Sequence, residues 1–186
     1  MILLIKSFLM AKFLHQRNIF EHRWESVTLA VFFKYPNPFS KHVIGSDVVS
    51  RMVDAEGCLR TSRILIKVGS LPAWLARFTP NSFSNSALIM EESIVDPRVG
   101  QMTVTSRNLT HQSWMAVEER QEFTRTDDGH WTLGDVKVKI LCGEKAQSLG
   151  RFLVAKLEGL SIEKFKNQLN KSRQALNYIL EKKGLL

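Results

Sequence analysis

Cations placed among apolar residues are the chemically most informative feature of this sequence. Residues 58–68 have the alternation of a strand, and one face of it carries Leu59, Thr61, Arg63, Leu65 and Lys67. Two cations on a face that should be buried are costly unless an anion or a carboxylate meets them. The pattern therefore predicts either an anion-binding pocket or pairing with a strand glutamate, and long side chains that reach the rim are a third arrangement.

A second polar set borders the apolar stripe of the C-terminal region. Apolar residues recur there at helical spacing: Ile162, Phe165, Leu169, Leu176, Ile179 and Leu180. At about 100° per residue, Lys164, Gln168 and Lys171 form a stripe that flanks the apolar one. Cations in this position suit a pocket mouth that holds an acidic head group above apolar tails, and a solvated helix flank is the alternative. Lys34, at the end of the first predicted helix, adds a further cation.

No arrangement of residues predicts covalent catalysis. The sequence contains no Gly-rich phosphate loop, no G-x-S-x-G motif and no H-E-x-x-H motif, and its histidines are scattered. Neighbours on a strand point to opposite faces, so in the pairs 91–92 and 118–119 we expect one solvated and one paired glutamate rather than a carboxylate dyad. Cys58 and Cys142 match no zinc spacing and are interpreted as two buried or half-buried thiols. We expect no enzyme activity, no cofactor and no metal.

The elements that must position these residues are strands followed by one long helix. A short helix is predicted from Glu21 to Phe33, and it stops at YPNP because a residue before proline is disfavoured in the α region. Strands are predicted over 42–53, 58–68, 86–95, 101–109, 114–126 and 130–141, with a strand-compatible stretch over 12–20. Short connections favour an antiparallel meander. One helix from about Glu144 to Lys183, lying across such a sheet, would enclose an apolar cavity.

Size and composition are those of a single globular domain with a basic surface. The chain has 186 residues, 44% of them hydrophobic and 24% charged, which is typical neither of disordered nor of membrane-spanning chains. The net charge of +8 indicates an anionic partner: nucleic acid, an anionic membrane or an acidic ligand. Residues 1–9 are apolar but far shorter than the roughly 20 residues of a membrane span. We interpret residues 1–9 as an extension and residues 10–186 as one domain.

The segment LPAWLARF, residues 71–78, has a separate candidate role. Tryptophan beside arginine is typical of a contact with the membrane interface. A lid packed on the core is the alternative. The candidate membrane-contact residues are Leu71, Trp74, Leu75 and Phe78.

Several motifs, in this order from about Met10 onward, together resemble the PRELI/MSF1 family. They are KYPNPFSKHV, GCLRTSRILIK followed by LPAW, EESIVDP, MTVTSRNLTH, VEER and EKFKNQLNKSRQALNYIL. The motifs SKHV, SIVDP and VEER are more similar to the PRELI branch than to the Slowmo branch of that family.

The resemblance implies both a fold and a function. The implied fold is an α+β, StART-like helix-grip: a curved antiparallel seven-stranded sheet wrapped on a long C-terminal helix, with an internal lipid pocket. The implied function is transfer of phosphatidic acid from the outer to the inner mitochondrial membrane, in the intermembrane space, supporting cardiolipin synthesis. The implied partner is a small twin-CX9C helical protein that forms a heterodimer with the transfer protein.

The resemblance also assigns roles to residues. It implies that Lys34, at a position where family members often have arginine, lies deep in the pocket near the phosphate. The predicted head-group set is Lys34, His42, Arg63, Lys67, Lys164, Gln168 and Lys171. It further implies that Leu71 and Trp74 belong to a lid that touches the membrane. Ser70 stands where some relatives carry a basic residue.

Three alternatives remain open from the sequence. Phosphatidylserine transfer, as in the Slowmo branch, needs the same fold. A lipid hydrolase would use the same cavity, although no Ser-His-Asp signature is present. A nucleic-acid-binding module would need basic and aromatic residues on an open sheet, whereas the long helix is expected to cover this one.

Overall fold

Seven strands form one continuous antiparallel sheet in the structure, a computed structural model that describes residues 11–69, 77–78, 85–182 and 184. The strands are β1 (Lys12–Phe20), β2 (Val43–Val53), β3 (Leu59–Val68), β4 (Ser86–Asp96), β5 (Gln101–Asn108), β6 (Met115–Arg125) and β7 (Thr132–Cys142). Their order across the sheet is β1-β7-β6-β5-β4-β3-β2. The predicted meander is confirmed, and β1 extends it at one edge of the open sheet by pairing with the last strand. The predicted extension, residues 1–9, lies outside the described residues.

Within the described residues, three α-helices accompany the sheet: α1 (Trp24–Phe32), the short α2 (Glu144–Gln147) and the long α3 (Arg151–Lys182). At about 1.5 Å per residue, the 32 residues of α3 extend for roughly 48 Å. The apolar stripe predicted for this helix is buried at Leu169, Leu176, Ile179 and Leu180. The expected fold class, a curved antiparallel seven-stranded sheet gripping a long C-terminal helix, is thereby confirmed.

The prediction of one uninterrupted helix from about Glu144 is wrong at its start. Gly150 has a φ of 89° and separates α2 from α3. This left-handed conformation is open to glycine but costly for other residues, so the chain turns here before the long helix begins. Helical periodicity alone did not reveal the turn, because the residues on either side of Gly150 are compatible with helix.

The YPNP segment ends α1 and fixes the chain that follows. Pro38 begins a 3₁₀ turn, Pro38–Ser40, and Asn37 caps it by accepting a hydrogen bond from the Phe39 N–H at 2.9 Å. The Asn37 amide also donates to the backbone carbonyl of Lys34. The YPNP segment therefore ends α1, as predicted, and also holds the backbone of Lys34 in place. The side chain of Lys34 contacts α3.

The largest part of the core lies where α1, the C-terminal half of α3 and the sheet meet. Its buried residues include Trp24, Val27, Met102, Phe123 and Leu180. The Trp24 indole donates to the carbonyl of Phe123 at 3.1 Å, which satisfies its only polar atom. Side chains of this core fill the space between the sheet and the C-terminal half of α3. The open space between sheet and helix therefore lies toward the N-terminal half of α3.

The inward face of β3 is the one predicted from its alternation. Thr61, Arg63 and Leu65 are buried and Lys67 is half-buried. The register with β4 places Arg63 opposite Glu91. The strand glutamates lie on opposite faces as predicted, since Glu91 and Glu119 are buried whereas Glu92 and Glu118 are exposed. The expected pairing with a cation is observed for Glu91, whose partner is Arg63.

The two cysteines and the hydropathy of the helices bear on two further predictions. Cys58 and Cys142 are free and buried, as interpreted from the sequence. Within the described part of the chain, no helix is long and apolar enough to cross a membrane.

Candidate functional site

A cavity of about 340 Å³ lies between the inner face of the sheet and α3. Its apolar lining includes Ile89, Trp114, Met115, Val117, Leu157 and Phe165. Trp114 and Leu157 belong to a small core cluster beneath α2, away from the main core. The volume falls within the range of roughly 300–1,000 Å³ that is typical of small-molecule sites. The cavity therefore offers a largely apolar environment to a ligand.

A smaller polar cavity of about 20 Å³ adjoins the apolar one. Five residues line both: His42, Lys67, Ser106, Glu119 and Gln168. The smaller cavity adds two further cations, Lys34 and Lys171, and ends at Leu65 and Leu169. The two spaces form one site with an apolar chamber and a cationic end.

Lys34 lies deepest among these cations, with 6% of its surface exposed. Its Nζ donates to the Oγ of Ser172 at 2.6 Å and lies 5.4 Å from the centroid of the Tyr35 ring. Burial lowers the pKa of Lys34, and the negative charges of Glu119 and Glu91 oppose that effect. A phosphate in the polar cavity would supply the counter-charge that this buried ammonium needs.

His42 stands at the junction of the two cavities. Burial lowers its pKa, and the positive charges of Lys67, Lys171 and Lys34 lower it further. The imidazole is consequently neutral at physiological pH and can donate one hydrogen bond to an anion without adding charge.

Arg63 is buried but is not among the residues that line either cavity. Its Nε donates to Glu91 Oε1 at 2.6 Å, and its two terminal nitrogens donate to the carbonyls of Phe32 and Val31, each at 3.2 Å. Of the arrangements that the sequence left open, pairing with a strand glutamate is the one observed. Arg63 thus joins β3 and β4 to the C-terminal end of α1.

The helix residues of the predicted head-group set share one side of α3. Lys164 lines the apolar cavity, Lys171 lines the polar cavity, and Gln168 lines both. Their spacing of four and three residues brings them to one face of the helix. Gln168 is half-buried, whereas Lys164 and Lys171 keep exposed ends.

The predicted membrane-contact residues Leu71, Trp74 and Leu75 lie outside the described residues. Phe78 is described, with 46% of its surface exposed, and is not among the cavity-lining residues. Gly69 and Asn85, on either side of this segment, line the cavity and are joined by a hydrogen bond of 2.8 Å from the Gly69 N–H.

Sequence reasoning missed several residues of the site. Tyr35, Ser106, Gln121 and Ser172 contribute polar atoms, and Glu119 lines both cavities. The signal for Glu119 was present, because it shares the inward parity of β6 with Val117 and Phe123. Ser172 carries no such signal, since only the packing of α3 against the YPNP segment brings it to Lys34.

Comparison with known proteins identifies the family of this chain. Residues 25–185 match the model of the PRELI-like family. The chain belongs to the PRELI-like family. It is 36% identical to Protein UPS1, mitochondrial, of Saccharomyces cerevisiae, over 89% of this chain and 90% of that protein. It is 32% identical to PRELI domain-containing protein 1, mitochondrial, of Gallus gallus, over 92% of this chain and 77% of that protein.

The family membership confirms the resemblance inferred from the motifs and supports the coarser functional prediction, a mitochondrial lipid-transfer role. The relatives are named as mitochondrial proteins, in agreement with the predicted location in the intermembrane space of mitochondria.

Solved structures extend the likeness of fold to distant proteins. The protein TTHA0849 from Thermus thermophilus superposes with a TM-score of 0.58 at 12% identity, over 91% of this chain and 97% of that one. The di-domain ARO/CYC StfQ of the steffimycin pathway superposes with a TM-score of 0.60 at 12% identity, over 94% of this chain and 52% of that one. At this identity the likeness shows the helix-grip fold alone.

Proposed function

We propose that this protein carries phosphatidic acid from the outer to the inner mitochondrial membrane, supporting cardiolipin synthesis, without making or breaking a covalent bond. The observation that carries the proposal is the joined pair of cavities, in which the cationic end with buried Lys34 opens into an apolar chamber. A phosphomonoester head group and acyl chains need these two environments in this order.

The energetics favour such a cargo. A phosphomonoester carries up to two negative charges and several acceptor oxygens, which Lys34, Lys67 and Lys171 would meet in a partly dehydrated space. Each CH₂ of an acyl chain gains about 0.8 kcal/mol on leaving water, so an enclosed apolar chamber is needed to draw a lipid out of a bilayer.

A transfer role without catalysis needs a direct test, because the fold also occurs in an aromatase/cyclase. Among the described residues, no group of His, Cys, Asp or Glu is placed to hold a metal ion. Phosphatidic acid incubated with the protein should be recovered chemically unchanged by mass spectrometry. Any hydrolysis product above the level in a protein-free sample would contradict this part of the proposal.

A small helical partner of the twin-CX9C type and anionic mitochondrial membranes complete the proposal. The edge strand β2 supports the need for a partner, because it leaves Ile44, Val49 and Val53 more than 60% exposed. Apolar side chains on an unpaired strand edge favour aggregation unless something covers them. Coexpression with such a partner should yield a monodisperse complex where the chain alone aggregates.

The proposed function is tested by a liposome-to-liposome transfer assay with Lys34→Met and a matched control, Lys41→Met. Both variants lose one positive charge, but Lys41 is exposed and lies outside both cavities. Losing one partner of a buried, charge-assisted contact should lower phosphatidic acid transfer by more than about tenfold. Lys41→Met should transfer at the wild-type rate.

The choice of lipid separates the proposal from its alternatives. Donor liposomes carrying fluorescent phosphatidic acid, phosphatidylserine or phosphatidylcholine are tested in separate runs. Selective transfer of phosphatidic acid is expected. Selective transfer of phosphatidylserine would keep the cavity and change the cargo, whereas salt-sensitive RNA binding without lipid transfer would favour the nucleic-acid-binding alternative.

A further inference from the structure

Two carboxylates are buried at the cationic end of the site, where the proposed cargo is itself an anion. Glu91 and Glu119 are 8% and 9% exposed, and both line the polar cavity. Glu91 accepts a 2.6 Å hydrogen bond from Arg63, so an arginine balances its charge and the fold accounts for its burial. Glu119 lies in different surroundings and needs a separate account.

Glu119 lies on the inward face of β6, at the junction of the two cavities. It accepts a short hydrogen bond from the side-chain amide of Gln121, which carries no charge. Its negative charge is the foremost influence that opposes the effect of burial on the pKa of Lys34. In the absence of another anion, Glu119 therefore stabilises the charged form of Lys34.

An incoming phosphate must share this space with Glu119. Like charges repel strongly in a partly dehydrated cavity, because little water is available to screen them. Phosphate and Glu119 consequently compete for the same cations, of which Lys34 is the most deeply buried. Either anion keeps Lys34 charged, so the ammonium is compensated both before and after the cargo enters.

We propose that Glu119 is an internal counterion of the head-group cations, which the phosphate of the cargo displaces and which promotes release of that cargo at the acceptor membrane. This inference rests on the proposed function. It makes Glu119 a residue that limits how tightly an anionic lipid is held, not one that binds the head group. The site can then load and unload the same lipid without retaining it.

The test compares Glu119→Gln with Glu118→Gln. Glutamine keeps the shape of the side chain and an acceptor for Gln121, but it removes the charge. Glu118 is the adjacent residue of β6 and is exposed on the opposite face, so its variant makes the same change of charge outside the cavity. Each full-length protein is loaded from phosphatidylcholine vesicles that contain fluorescent phosphatidic acid, and is then re-isolated.

Retained lipid and its rate of release into phosphatidylcholine vesicles are measured. Removing one like charge from the cavity should make Glu119→Gln retain more phosphatidic acid and release it about tenfold more slowly. Glu118→Gln should match the wild type. Lower retention, or release at the wild-type rate by a variant that unfolds at the wild-type temperature, would overturn the inference.

A second neutral variant, Glu119→Met, keeps the inference testable if Glu119→Gln does not fold. Glu119→Met needs no hydrogen bond from Gln121, and the same slow release is expected of it; wild-type release from folded Glu119→Met would also overturn the inference. Wild-type protein that takes up no phosphatidic acid would instead contradict the proposed function itself. The two failures are therefore distinguishable in one series of measurements.

Discussion

Arg63 ties three elements together from a buried position on β3. Its guanidinium pairs with Glu91 of β4 and donates to two carbonyls at the C-terminal end of α1, where the negative end of the helix dipole lies. The same guanidinium lies 5.6 Å from the ring centroid of Tyr35. These contacts set the position of the chain just before the YPNP turn, and therefore of Lys34.

Arg63→Met should destabilise the fold strongly, because it leaves Glu91 buried without its partner. Breaking one side of a buried pair costs about 3–5 kcal/mol in the free energy of unfolding. The control is Arg107→Met, which breaks an exposed 3.7 Å pair with Glu92, the neighbour of Glu91 on β4. That change should cost about 0–1 kcal/mol. Urea unfolding measures both.

A double variant separates the ion pair from the arginine itself. Adding Glu91→Gln to Arg63→Met removes the orphaned charge and should recover part of the lost stability. If the double variant were less stable than Arg63→Met by the full effect of Glu91→Gln alone, the two residues would not be coupled.

His42 should make the stability of the protein depend on pH in mildly acidic solution. Because its pKa is lowered in the folded state, the unfolded chain takes up a proton near the ordinary value of 6.5 while the folded chain does not. Stability is therefore lost as the pH falls through and below about 6.5. The unfolding temperature of the wild type should fall between pH 7.5 and 5.5 more than that of His42→Gln.

The control for this pH effect is His130→Gln, at an exposed position in the turn before β7. Because His130→Gln keeps His42 and the cations around it, the loss of stability in acid that is assigned to His42 should persist in this variant. Parallel curves for wild type and His42→Gln would mean that neither burial nor the surrounding cations lower the pKa of His42.

At the scale of elements, two glycines near the start of the long helix should respond oppositely to alanine. A Cβ at Gly150 or Gly159 would meet no atom within 4 Å, so packing does not distinguish them. Gly150 has a φ of 89°, and alanine there should cost about 1–2 kcal/mol. Gly159 lies inside α3, and alanine there should stabilise the fold by roughly 0.5–1 kcal/mol.

Thermal unfolding of Gly150→Ala and Gly159→Ala, each against the wild type, measures this contrast. Equal shifts in the same direction would contradict the assignment of the turn to Gly150. The pair is internally matched, since both variants add one methyl group near the same helix.

The helices and strands were largely predictable from local sequence patterns, whereas the contacts between them were not. Alternation placed the strands within a few residues, and proline placed the end of α1. The α1 start shifted from Glu21 to Trp24 because Phe20 is still paired in β1. The register that sets Arg63 opposite Glu91, and the contact of Ser172 with Lys34, depend on residues 28 and 138 positions apart, which no local pattern encodes.

At the scale of the whole molecule, the net charge of +8 should govern attraction to membranes. Binding to vesicles that contain anionic lipid should weaken as salt rises from about 0.05 to 0.5 M, because the screening length shortens. Vesicle sedimentation measures the bound fraction, with pure phosphatidylcholine vesicles as the control. Binding that stays constant over this range would assign the attraction to apolar contacts instead.

The order of the strands has a consequence for how the chain acquires its structure. Among the described strands, β1 pairs with β7 alone, so that Lys12 pairs with Ile140, 128 residues further along the chain. Pairings between such distant residues slow folding, because a long loop must close before any contact forms. A chain that emerges from its N-terminus onward cannot complete this sheet until Cys142 has appeared. Until then, both edges of β1 are unpaired, which favours aggregation of the nascent chain throughout most of its emergence.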